Sequence, residues 1–186
     1  MGACDDDHMA VLNVHERSLA CAGHRLGELL DRIVDLDEGL WPSATWPPMR
    51  LNGPLGVGAR GGHGPIRYEV TQYVRGQWVR FQFAAPTGFH GFHEFEVESL
   101  DNERAIVRNT LAMRLTGTAR LTWPLVFRPL HDALIEDGLD QAERLATGAS
   151  TDSRWSPYVH LLRSVIRRLP GSPANSGSAR QRKSSQ

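Results

Sequence analysis

Two polar side chains, His93 and Asn109, interrupt a row of apolar residues that recurs at every second position. The row comprises Val79, Phe81 and Phe83, then His93, Phe95 and Val97, then Val107, Asn109, Leu111 and Met113. An imidazole can act as a general base near neutral pH, and a carboxamide can hold an enolate or carbonyl oxygen. Together they would suit removal of a proton alpha to a carbonyl, followed by aldol closure or loss of water. Nothing else in the row supplies a second acid or base. The preferred reading is therefore a pair that orients a ligand in an apolar cavity without chemistry of its own. The plainer alternative is that the two satisfy each other, or a buried water, in a filled core.

The remaining candidates are weaker. His90 and His93 are three apart on a strand, so they point to opposite faces and cannot chelate one ion. His63 falls in a glycine-rich turn, on the surface or at a cavity mouth. His131 and Asp132 open a helical pattern, where the carboxylate suits the positive end of the helix dipole. Paired cysteines, the His-Glu-x-x-His spacing and the Gly-x-Ser-x-Gly elbow are all missing, so neither metal nor cofactor is expected. Gly56, Gly58 and Gly61 match the dinucleotide fingerprint literally, but that fingerprint requires a helix immediately after it. Gly62, Gly64 and Pro65 follow instead, and then a β-patterned run, which makes this a strand and turn.

The elements that must position these residues follow from periodicity. Val11 to Ser18 reads as a strand. Leu26, Leu29, Leu30, Ile33, Val34 and Leu36 then recur at threes and fours, predicting an amphipathic helix of about 13 residues. Trp41-Pro42 and Trp46-Pro47-Pro48 form a stiff aromatic connection. From Ile66 to Leu115 the period is two, with turns at Val74 to Gln77, Ala85 to Gly88 and Asp101 to Glu103. That pattern predicts an antiparallel meander with one wet face carrying Glu94, Glu96 and Glu98. The turn at Asp101 sets the register: one choice puts Phe95 opposite Asn109, a tighter one puts His93 there. Leu130, Leu134, Ile135, Leu139, Ala142 and Leu145 form the apolar stripe of a long helix that starts near Pro129. Asp132, Glu136, Asp137, Asp140 and Glu143 oppose that stripe. Pro124 would kink any helix through Leu121 to Val126. A last helix opens at Ser156-Pro157 and runs to Leu169.

Composition excludes several classes. The chain has 186 residues, 40% of them hydrophobic, and 21 basic side chains against 21 acidic. One core-forming domain is expected. No apolar run reaches the length of a membrane-spanning helix, and no basic aromatic face suits nucleic acid. Cys4 and Cys21 are too few for a disulfide framework, and the acidic start does not resemble a secretory signal, so a cytoplasmic protein is expected. Charge is segregated: residues 150–186 hold seven basic groups and one acid, which leaves 14 basic and 20 acidic groups before them. The expected layout is a flexible acidic start (1–9), a main domain (10–148), a linker with a basic amphipathic helix (149–169), and a disordered tail (170–186).

A curved antiparallel sheet cannot bury its concave face alone, and a long amphipathic helix laid across it solves that problem. With that element order, the segments Gly56 to Gly58, His63 to Tyr68, Val79 to Phe81, Gly88 to His93 and Arg128 to Asp137 resemble the START-like SRPBCC superfamily. The most similar members are small bacterial proteins grouped with polyketide cyclases and dehydrases. The resemblance spans about residues 10–147 and implies an α+β helix-grip fold with a deep, mostly apolar cavity. It implies a small hydrophobic ligand, lipid- or polyketide-like, held as carrier or sensor. Trp41, Trp46, Tyr68, Phe81, Phe83, His93, Phe95, Asn109, Leu111 and Met113 are the expected ligand-facing residues, with Trp41, Trp46 and Met49 placed as a lid. Were the protein an enzyme, His93 would be the base and Asn109 would orient an oxygen. The basic helix at 157–169 either docks on the acidic body, pairs subunits, or lies on an anionic membrane surface; docking is preferred.

Overall fold

A computed structural model of the chain describes residues 8–149 and 153–168. Most of the expected acidic start and all of the expected tail lie outside the described residues. The chain divides into two compact units between Ser153 and Arg154.

In the first unit each stretch of period two is a strand. β1 (Met9–Leu19), β2 (Arg50–Leu51), β3 (Arg60–His63), β4 (Ile66–Val74), β5 (Trp78–Ala85), β6 (Phe89–Ser99) and β7 (Ala105–Leu115) form one antiparallel sheet in the order β1-β7-β6-β5-β4-β3-β2. The turn at Asp101 gives the first of the two expected registers, with Phe95 opposite Asn109 and His93 opposite Leu111. Glu94, Glu96 and Glu98 take the outer face: Glu94 accepts from Arg80 at 2.7 Å, and Arg108 reaches Glu96 at 3.0 Å and Glu98 at 3.6 Å. Gly61 lies inside β3 with no helix after it, so the dinucleotide fingerprint has no structural counterpart.

β1 begins earlier than expected and pairs with β7 along its whole length, from Met9 opposite Leu115 to Leu19 opposite Ala105. Its inner row is Val11, Asn13, His15 and Arg17, half-buried and increasingly polar. Helix α1 (Gly23–Asp31) is shorter than its apolar period implied. The N–H groups of Arg32 and Ile33 turn back to Glu28 and Leu30, closing the helix while Ile33 stays fully buried. Asp31 instead accepts from the Tyr73 hydroxyl at 2.8 Å and the Gly76 amide at 2.7 Å.

The long helix starts well before Pro129. α2 (Ala119–Thr122) runs through a π-helical turn (Trp123–Phe127) into α3 (Arg128–Thr147). Pro124 cannot donate to the helical ladder, and the wider turn accommodates it: the Arg128 amide bonds the Trp123 carbonyl, five residues back. α3 stops at Gly148, which takes the left-handed conformation (φ 76°) and bonds back to Arg144. The curved sheet wraps this long helix. The stripe of α3 drifts slightly from expectation, with Ala146 buried and Leu145 exposed.

The second unit contains α4 (Pro157–Arg168). Ser156 caps it, its Oγ accepting the Val159 amide at 3.3 Å, and the Arg163 guanidinium lies 4.1 Å over the Trp155 ring. Leu169 lies outside the described residues.

Candidate functional site

The inner face of the sheet brings His93 into a shell of rings. Phe81 and Phe83 stack on its imidazole at 4.9 and 5.4 Å, while Tyr68 and Phe95 meet it edge-on at 5.2 and 6.1 Å. Alternation along β4, β5 and β6 aims all five side chains inward. Asn109 lies on the same face but does not pair with His93. Its Nδ2 donates to the Glu94 carbonyl at 3.0 Å, and both Asn109 Oδ1 and His93 Nε2 are buried without a hydrogen-bond partner among the described residues. The two therefore do not satisfy each other, which removes the simplest structural account of the pair. Burial, followed by the charges of His63 and His131, holds the His93 pKa well below the ordinary histidine value, so its ring is neutral.

The deep cavity implied by the resemblance is closed around His93. Tyr68, Phe81, His93, Phe95, Asn109, Leu111 and Met113 are each at most 5% exposed. Trp41 and Trp46 are not a loose lid: both are buried, with indole N–H groups bonded to the Pro47 carbonyl (3.0 Å) and to Asp137 on α3 (2.7 Å). His63 faces inward rather than to the surface. Its ring lies 4.5 Å from Trp41, and Nδ1 is 3.4 Å from the Tyr68 hydroxyl. Burial, with His131 and Arg67 adding to it, pushes its pKa down to about 3.

A second polar cluster joins β1 to α3. His15 places Nδ1 2.7 Å from Glu136 Oε1 and Nε2 3.2 Å from Asp132 Oδ1. Asn13 donates to the same Asp132 oxygen at 2.9 Å, and Arg17 bonds Glu136, Asp140 and Glu143. His131 and Asp132 are therefore interior to a long helix rather than its cap, and the acidic face of that helix meets a strand. His15 is raised, first by its bond to Asp132, against burial. Burial works against Asp132, but the neighbouring His131 ring and the hydrogen bonds to His15 and Asn13 hold its carboxyl well below the usual range. His131 goes the other way: burial lowers it, and neither ring nitrogen has a hydrogen-bond partner among the described residues. Sequence reasoning missed this cluster. Its signal was the alternation Asn13, His15, Arg17 on one strand face, matched by Asp132, Glu136 and Asp140 at helical spacing.

Two clefts open at the surface. One, of about 510 Å³, lies between α1 and the β4–β5 turn, lined by Gly23, Gly27, Asp31 and Gly76. The other, of about 480 Å³, sits where β5 and β6 part. Their pairing stops at Gln82 opposite Phe92; beyond it Phe83 stays with Tyr68 of β4 and Phe89 with Leu115 of β7. The rings of Phe83 and Phe89 close this splay edge-to-face at 6.1 Å, and Phe83 is the ring stacked on His93.

No family model and no curated protein matches the chain. Solved structures do. A truncated norcoclaurine synthase from Thalictrum flavum matches at TM-score 0.58 and 11% identity, over 80% of this chain and all of that one. The fold is a helix grip. The same synthase in complex with dopamine and hydroxybenzaldehyde matches at TM-score 0.58 and 12% identity, over 82% of this chain and 96% of that one. A solution structure from Thermobifida fusca matches at TM-score 0.55 and 15% identity, over 72% and 94%. At these identities the likeness is one of fold alone. Among the described residues no helix is long and apolar enough to cross a membrane.

Proposed function

We propose that this helix-grip protein binds a small aromatic or apolar molecule that carries one polar group, on the inner face of the sheet at His93. The observation that carries the reading is the pair of buried, unpartnered polar atoms, His93 Nε2 and Asn109 Oδ1, inside a wall of rings. An unpaired buried polar atom costs about 1–3 kcal/mol, a cost that a ligand supplying the missing hydrogen bond removes. A neutral imidazole and a carboxamide oxygen suit a hydroxyl, amide or carbonyl better than a charged group. Because the rings close around His93, binding requires them to move, and the β5–β6 splay offers a way in, since Phe83 both lines that cleft and stacks on His93. The helix-grip synthase that binds dopamine and hydroxybenzaldehyde supports an aromatic ligand of similar size.

Native mass spectrometry of freshly purified full-length protein tests the binding reading. A retained small molecule, lost in His93→Phe while the fold persists, is the expected result. Wild-type protein that carries nothing, and that fails to take up any member of a panel of phenols and aromatic aldehydes, would overturn it.

A further inference from the structure

We infer that His15, His131 and Asp132 form a binding site for a first-row divalent metal ion such as zinc. One ligand atom from each of the three lies within 4.8 Å of the others. His15 Nε2 is 3.2 Å from Asp132 Oδ1, and His131 Nδ1 is 3.8 Å from the same oxygen. Nitrogen and oxygen ligands about 2.0–2.1 Å from a tetrahedral zinc stand about 3.3 Å apart, so small side-chain adjustments would close the set. Two imidazoles and one carboxylate suit zinc or iron rather than calcium or magnesium, which take oxygen shells.

The ion pairs explain only part of this arrangement. They account for His15 and Asp132, but His131 brings both ring nitrogens into the interior with no hydrogen-bond partner for either. A helix former of similar volume and no polar atoms would fill that place at lower cost, so the imidazole needs a reason, and an ion supplies one. The supporting shell is already built. His15 turns its other nitrogen to Glu136 at 2.7 Å, the carboxylate–histidine arrangement that orients a metal ligand, and Arg17 holds Glu136 at 3.0 Å. Asn13 fixes Asp132 Oδ1 at 2.9 Å, while Arg128 stands 3.7 Å from the other oxygen, Oδ2. Three protein ligands would leave a position for water or for an oxygen of a bound molecule. This inference stands on its own geometry and does not depend on ligand binding at His93.

The test is titration of untagged, chelator-stripped full-length protein with Co²⁺ and Zn²⁺. One equivalent of Co²⁺ should bind, with visible d–d bands of a low-coordinate nitrogen–oxygen site, and Zn²⁺ should displace it. His15→Gln and His131→Gln should each weaken zinc binding on the order of 100-fold or more, and Glu136→Gln, which touches only the supporting shell, by about 10- to 100-fold. His63→Gln and Asn109→Ala should leave it unchanged. Circular dichroism of each metal-free variant separates loss of the site from loss of the fold. If His15→Gln does not fold because its ion pairs are gone, His131→Gln decides alone, since that imidazole makes no hydrogen bond among the described residues. No stoichiometric binding, or binding that survives His131→Gln, would overturn the site.

Discussion

Arg17 of β1 and Asp140 of α3, 123 positions apart, meet as an ion pair in which Asp140 is 5% exposed. The same guanidinium reaches Glu136 at 3.0 Å and Glu143 at 3.3 Å, so a single cation ties three acids of the gripped helix to the edge strand. Removing it leaves a buried carboxylate without a counter-charge, held only by the Ser153 amide, beside two others. Arg17→Leu should therefore destabilise the fold by about 3–5 kcal/mol, read as a lowered denaturation midpoint with an unchanged slope. Equal stability of the variant would show that the pair is as dispensable as a surface contact.

This contact also marks where the sequence was legible and where it was not. Strands β4 to β7 and their turns followed from strict alternation, because a sheet with one wet face writes its period plainly. The inward aim of His93 and Asn109 followed for the same reason. What alternation could not state is which element lies over each row. The acidic side of α3 read only as the face opposite the apolar stripe, and nothing in the period tells that such a face can be buried against cations carried by a strand more than a hundred residues away. His131 read as a cap because the proline-bearing segment before it looked like a break, and a π-helical turn carried the helix through. Whether the face around His93 is hollow or filled is a matter of side-chain packing, on which periodicity is silent.

Close approach of α1 to the β4–β5 turn depends on Gly27. A Cβ built there would stand 2.4 Å from the Gly76 carbonyl oxygen and 2.9 Å from its Cα, both backbone atoms that cannot rotate away. Gly27→Ala gains helix propensity of roughly 1 kcal/mol but must push the turn off the helix. Overpacking of this kind costs about 1–3 kcal/mol, and displacing the turn also strains the Asp31–Gly76 bond. A net loss of stability, with weaker amide-exchange protection at Gly76, is expected. A stabilised variant would mean that the contact is loose.

Replacing His93 by phenylalanine separates folding from function. The ring it loses is stacked against Phe81 and Phe83, where another aromatic ring fits, and of the two nitrogens it loses Nε2 is buried without a partner among the described residues. The variant should be as stable as the wild type or more stable, by about 1–2 kcal/mol. A structural histidine would behave in the opposite way, losing stability with its hydrogen bond. Thermal unfolding of the two proteins, side by side with ligand retention, distinguishes the cases: stability kept and retention lost is the outcome expected of a binding residue.

Acid should weaken the fold before the carboxylates titrate. An exposed histidine in the unfolded chain takes up its proton near pH 6.5. His63 in the fold does so only at about 3, because burial, with His131 and Arg67 nearby, disfavours the cation. Between those values the unfolded state binds a proton that the folded state excludes, so stability falls as pH falls. His93 and His131 shift in the same direction and add to the loss. His15 opposes it: its raised value contributes stability that is present below pH 6.5 and is lost as pH rises through the folded value. Three groups against one leave a net decline, of about 2 kcal/mol for His63 alone between pH 7 and pH 5. Denaturant unfolding at those two pH values measures it, and His63→Phe should flatten the slope while leaving the contributions of His93 and His131. A stability profile that is level or rising toward pH 5 would mean that these imidazoles reach water in the folded protein and can be protonated there.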